Sequence, residues 1–249
     1  MDKQLPKIND ESAVHEYMSM LLDNGKKKEY MDTAELLDYI SGMEKQLEEL
    51  TQEVRDFRET FNSIQNPSTK MRLTNLVDQV QLSINDGRDK LNKLKVNIVS
   101  SMKDCLAVFK EKGKNGVVKT INVLHFKEAL GGIRKSFFIA MNKTNNLVQT
   151  CDAVSLEMRK AKRNFKNAGL LLLGKPVQKD TGDKNKLNMM QKTSRSIFSG
   201  LKSMTVKTTN LLHRLEDFEK PSVKSEIKLL SSNSKTKDLR QHEKKEQSR

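Results

Sequence analysis

Tryptophan is missing from this 249-residue chain, and aromatic residues make up only 5% of it. Hydrophobic residues reach 35%, low beside the roughly 45–50% of ordinary globular domains. So thin an apolar supply does not fill a compact sphere. It does serve long helices that share narrow seams, because most of their surface stays in water. Proline occurs four times, at 6, 67, 176 and 221, so residues 68–175 lack the residue that breaks a helix by having no N–H. Cysteine occurs twice, too rarely for a disulfide framework, and this fits a reducing compartment. Cys105 and Cys151 both fall on apolar stripes, where a thiol behaves as a small hydrophobe. Met1–Ser12 is polar and charged, without the apolar segment of a signal peptide. The longest apolar run, Leu170–Leu173, is far below the roughly 20 residues of a membrane span. A cytoplasmic protein without a transmembrane segment is expected.

What is present is periodicity. Leu36, Ile40, Met43, Leu47, Leu50, Val54, Phe57, Phe61 and Ile64 follow one another at spacings that alternate four and three. A helix puts such residues on one side, so the segment carries a seam that must be buried. The spacing returns three times. A second stripe runs through Leu73, Val77, Val80, Ile84, Gly87, Leu91, Leu94 and Ile98, then drifts to Met102, Leu106 and Phe109. A third runs through Ile133, Phe137, Ala140, Thr144, Leu147, Cys151, Val154, Met158, Ala161, Phe165 and Ala168. The fourth, thinner, is Leu187, Met190, Ser194, Ile197, Leu201, Met204, Thr208, Leu211, Leu215 and Phe218. The fold class is therefore all-α: an elongated antiparallel bundle of long, coiled-coil-like helices. Phe57, Phe61, Phe137 and Phe165 are too bulky for a two-stranded zipper and suit antiparallel packing better.

Punctuation divides the chain. Residues 1–32 are a lead-in with a short helix at about 11–23, stopped by Asn24-Gly25. Residues 33–176 form the long-helix bundle, its first helix capped by Asp32 or Thr33 and ending near Asn66-Pro67. Ser68 is the expected cap of the second helix. Asn85-Asp86-Gly87 is a weak point in that helix, across which the register survives. A short helix at Val117–Leu130, closed by Gly131-Gly132, precedes the third stripe. A polar linker spans 177–186, an amphipathic helix 187–218, and a charged tail, read as disordered, 219–249.

The net charge of +14 is unevenly spread. Residues 1–66 hold 8 Lys+Arg and 15 Asp+Glu, and residues 67–249 hold 38 and 17. Either the acidic helix at 33–64 matches basic neighbours within the fold, or the basic remainder meets an anionic partner. Arg159, Lys162, Arg163 and Lys166 make one ridge at helical spacing beside an expected core line of Met158, Ala161 and Phe165. Lys192, Arg195 and Lys202 line up on the last helix. These seven residues are the candidate anion-binding site. A ridge of this kind can follow a phosphate backbone, but it has no interleaved aromatics for base stacking and no helix-turn-helix, so nucleic-acid binding would be independent of sequence. A third reading puts the last helix on an anionic membrane surface through Ile197, Phe198, Leu201 and Met204.

Reactive chemistry finds no footing. Gly169-Leu-Leu-Leu-Leu-Gly174-Lys175-Pro176 nearly matches the phosphate-cradling G-x4-G-K-[ST] loop, but Pro176 stands where the magnesium-holding hydroxyl belongs and no strand precedes it. Its leucines fit a helix end tucked into apolar surface. His15, His125, His213 and His242 do not pair with one another or with a cysteine, so no metal site can be drawn. No catalytic, cofactor-binding or metal-binding residue is assigned, and no small-molecule substrate is evident. A non-enzymatic protein is expected, working by self-association or by binding a protein partner through its heptad seams.

Two stretches carry a resemblance. The acidic heptad region KEYMDTAELLDYISGMEKQLEELTQEV, residues 28–54, and the basic helix end KRNFKNAGLLLLGKP, residues 162–176, resemble an uncharacterised helical family encoded on integrative conjugative elements of Gram-positive bacteria. The resemblance covers about residues 12–176. It implies the context of a mobile element in a bacterial cytoplasm, and no catalytic residue.

Overall fold

A computed structural model describes residues 7–64, 66–112, 123–177 and 189–219. Five α-helices account for nearly all of them: α1 (Ser12–Asp23), α2 (Lys27–Glu59), α3 (Pro67–Lys112), α4 (Val123–Leu172) and α5 (Met189–Glu219). No strand occurs among the described residues. Residues 1–6, the first part of the short helix expected from Val117, most of the linker expected at 177–186 and the tail beyond Glu219 lie outside them. The chain divides into two compact units at Thr209/Asn210, the second containing the last turns of α5.

Cross-helix contacts give the topology of the first unit. Arg58 pairs with Asp78, Arg88 donates to Thr51 Oγ1, and Lys95 meets Glu44, so α2 and α3 run antiparallel. Lys143 Nζ lies 3.0 Å from Ser83 Oγ, and Ser136 Oγ lies 2.5 Å from Asp86 Oδ2, so α3 and α4 are antiparallel too. Gln191 and Arg195 reach Asp152 at 2.7 and 2.9 Å, while Ser196 donates to Glu53 and Tyr39 to Thr208, at 2.6 and 2.7 Å. Helix α5 therefore packs antiparallel to both α4 and α2, closing a ring of four helices with α1 laid against α2 and α3. The four stripes meet in the middle. Phe57, Phe61, Leu73, Ile84, Leu94, Phe137, Leu147, Cys151, Ile197 and Leu201 are all buried there. Phe57 and Phe61 meet edge to face with centroids 4.9 Å apart, the geometry their ring quadrupoles favour.

Polar seam residues are accommodated locally. Thr144 and Thr208, both fully buried, return their hydroxyls to the carbonyls of Ala140 and Met204 at 2.8 and 2.7 Å. That backbone bond removes the penalty of a bare hydroxyl in an apolar seam. Small residues let the axes approach. A Cβ on Gly87 would lie 2.6 Å from Phe137 Cε1, and one on Gly200 2.8 Å from Leu50 Cδ2.

Three expected boundaries move. Helix α2 begins at Lys27, not at Asp32 or Thr33, and Thr33 is instead buried on its inner face. Helix α3 is capped by Asn66, whose Oδ1 accepts the Thr69 N–H at 3.1 Å, not by Ser68. Pro67 sits at the first helical position, where its missing N–H costs nothing. The separate helix ending at Gly131-Gly132 does not exist, because α4 runs straight through both glycines. Phe126, Leu130, Ile133 and Phe137 keep one buried face, and this outweighs roughly 1 kcal/mol of lost helix propensity per glycine. The weak point at Asn85–Gly87 stays helical.

Candidate functional site

The helices end at different levels. Arg58 on α2, Asp78 and Gln79 on α3, and Lys143 on α4 lie side by side. From Gln79 back to Pro67, where α3 begins, is about 18 Å, and the same distance along α4 from Lys143 reaches Ser155. Helix α5 begins at Met189, two residues before the Gln191 that contacts Asp152. Among the described residues, helix α4 thus outruns its neighbours by roughly 25 Å, from about Ser155 to Leu172.

The third stripe continues onto this projecting end without a partner among the described residues. Met158 and Ala161 are exposed, and Phe165 is 85% exposed, so the core line expected there is not core. The apolar patch at Leu170–Leu173 is likewise not tucked away: Leu171, Leu172 and Leu173 are 66%, 88% and 70% exposed. The stripe was visible in the sequence. That it stops being buried depends on where α3 and α5 start relative to α4, which no local pattern encodes.

Of the seven candidate basic residues, Arg159, Lys162, Arg163 and Lys166 sit together on the projecting end, offset to one side of its apolar stripe. With one residue about every 100°, Lys162, Lys166, Arg159 and Arg163 fan across a sector beside Met158, Phe165 and Leu172. Arg159 also leans on the Ser155 carbonyl at 3.3 Å. Lys192, Arg195 and Lys202 belong to α5 within the ring, where Lys192 and Lys202 are exposed and Arg195 is paired with Asp152. The seven do not form one continuous line. Lys160 and Lys175 join Arg159, Lys162, Arg163 and Lys166, so residues 157–177 hold six Lys+Arg against the single Glu157. Lys160 meets Glu157 at 2.8 Å.

Near the end of the acidic helix, Glu53 accepts from Ser196 of α5 at 2.6 Å. Glu44 is matched by Lys95 of α3, and Glu49, Asp56 and Glu59 are exposed on α2 itself.

The near-match to a phosphate loop has a structural explanation. Gly174, at φ +65°, closes α4 by a Schellman cap: its N–H bonds the Leu171 carbonyl at 3.0 Å and the Lys175 N–H bonds Leu170 at 2.9 Å. Asn24-Gly25-Lys26 closes α1 in the same way, with Gly25 at φ +70°. Gly174 therefore sits at a helix C-terminus, whose dipole repels phosphate.

The last-helix membrane reading loses its surface, because Ile197, Leu201 and Met204 are fully buried. Grooves elsewhere are shallow. One of about 300 Å³ lies between α2 and α3 beside Arg55, Arg58 and Arg88, and one of about 610 Å³ between α2 and α5 beside Glu49, Glu53 and Ser203. Among the described residues, no three His, Cys, Asp or Glu side chains are placed to hold a metal ion, and no helix is long and apolar enough to cross a membrane.

Comparison with known proteins adds a single family. The model of DUF6674, described as a family of unknown function, matches residues 10–249. No curated protein and no solved structure matches the chain.

Proposed function

This chain belongs to DUF6674, and for it we propose a non-enzymatic role: a helical interaction protein whose bundle holds out the end of α4 as a contact element. The observation that carries this is the apolar stripe of Met158, Phe165 and Leu172, which continues the core seam past the last neighbouring helix and into solvent. Large exposed apolar patches mark interaction sites, and a rigid helical base fixes this one in place. The setting we propose is the bacterial cytoplasm, in the service of a mobile element.

A photo-crosslinking residue placed at Phe165 in the native host tests the role, with the half-exposed Phe138 on the same helix as control. An adduct at 165 that is absent at 138 is expected. Equal or no labelling at the two positions would sink it.

A second reading, sequence-independent nucleic-acid binding through residues 159–202, draws on the clustering of Arg159, Lys162, Arg163 and Lys166. Phosphate contacts alone have no use for the leucines, which is why it ranks second. Its signature is binding to duplex or single-stranded DNA that weakens steeply between two salt concentrations. Salt-insensitive or absent binding removes it.

A further inference from the structure

The geometry points to one occupant for the α4 end: the headgroup–acyl boundary of an anionic lipid bilayer, entered by the Leu170–Leu173 tip. This rests on the docking reading above and names its partner.

Three observations choose lipid over a partner helix. A helix partner covers one sector, and Met158, Phe165 and Leu172 alone would suit it. Leu171, Leu172 and Leu173, however, advance by about 100° each, so their side chains spread around the axis, and all three are exposed. A single groove cannot receive them together; a bilayer surrounds the tip and can. Second, the backbone N–H groups of Leu173, Gly174 and Lys175 are all bonded. Leu173 bonds back to Gly169 at 3.3 Å, and the Schellman cap occupies the carbonyls of Leu170 and Leu171. Backbone groups left bare are what make a chain end costly in an apolar medium. Third, the charge is right. Arg159, Lys162, Lys166 and Lys175 flank or follow the apolar residues within a span holding one acidic side chain. Long basic side chains can lay their stems along the apolar surface and hold their charges among lipid phosphates. Phe165 to Leu173 spans roughly 12 Å of axis, enough for shallow, tilted entry.

Vesicle flotation with the full chain tests this, using phosphatidylcholine alone and phosphatidylcholine mixed with phosphatidylglycerol. Binding is expected to the anionic vesicles, weakening with salt. Phe165→Ser and Leu172→Ser should each lower partitioning about tenfold, and Lys162→Glu with Lys166→Glu should erase the preference for anionic lipid. Phe138→Ser should leave binding unchanged. All these side chains are exposed, so thermal unfolding of the variants should match the parent, and a variant that does not match is replaced by Leu172→Gln. Absent vesicle binding, or binding indifferent to both serine variants, overturns the proposal. If residue 165 still crosslinks in cells to a protein or nucleic acid, the lipid occupant falls and the docking role stands. If neither occurs, both fall.

Discussion

Gly87→Ala sets two effects of opposite sign against each other. In an exposed helix interior, alanine is favoured over glycine by about 1 kcal/mol. At position 87 the new Cβ would lie 2.6 Å from Phe137 Cε1 and 3.1 Å from Cδ1. Phe137 is fully buried, and its ring cannot swing aside as the end of a flexible chain could. Overpacking of this kind costs about 1–3 kcal/mol. The expected outcome is net destabilisation of up to about 2 kcal/mol, read as a lower urea midpoint at unchanged slope by circular dichroism. A second background reverses the sign. In a Phe137→Leu background the obstructing ring is gone, and Gly87→Ala should turn stabilising by about 1 kcal/mol. Gly42→Ala, where nothing lies within 4 Å of the added carbon, supplies the reference gain. If Gly87→Ala stabilises the parent chain as much as Gly42→Ala does, α3 and α4 do not meet at this point and the ring of helices is wrong.

Lys95, whose side chain is only 5% exposed, is matched by Glu44 across the α2–α3 seam; Lys95→Met alone should cost about 3–5 kcal/mol by leaving a carboxylate half-buried, and Lys95→Met with Glu44→Leu should restore most of it in a double-mutant cycle. The Cys151 thiol is pushed up to about 11 by burial against a partly offsetting Ser194 hydrogen bond, so it should resist alkylation at pH 8 in the folded chain and react once urea unfolds it; rapid native labelling would contradict its place in the core. Because that thiol ionises more readily when unfolded, its contribution to stability is present below about pH 9 and should be lost as pH rises toward about 11, visible as a falling urea midpoint that Cys151→Ala makes less steep, the buried Tyr17 and Tyr39 supplying the rest.

The stripes made the fold legible. Alternating four-and-three spacing identified α2, α3, α4 and α5, and the antiparallel packing expected of the phenylalanines is found between α2 and α3 and between α3 and α4, although Phe165 is exposed. Local punctuation was less dependable. Gly131-Gly132 read as a stop because two glycines weaken a helix, yet packing against α3 carries α4 through them. Pro67 read as a terminator but also starts α3, with Asn66 as its cap. At the candidate site the ridge was readable from charge spacing alone. The exposure of Phe165 and the leucines was not, since it follows from helix ends that lie far apart in sequence and meet at one level. Arg195 of the last helix pairs with Asp152 of α4, a contact between helices that spacing along one helix does not show.

Hydrogen exchange along α4, measured on the isolated chain, reads where the helix leaves the bundle. Amides from about Phe137 to Cys151, enclosed by α3 and α5, should exchange only through global unfolding, whereas those from Arg159 to Leu172 should exchange orders of magnitude faster by local fraying. Protection that stays uniform to Leu172 would mean that the end of α4 is covered within the fold, and the contact element would not exist.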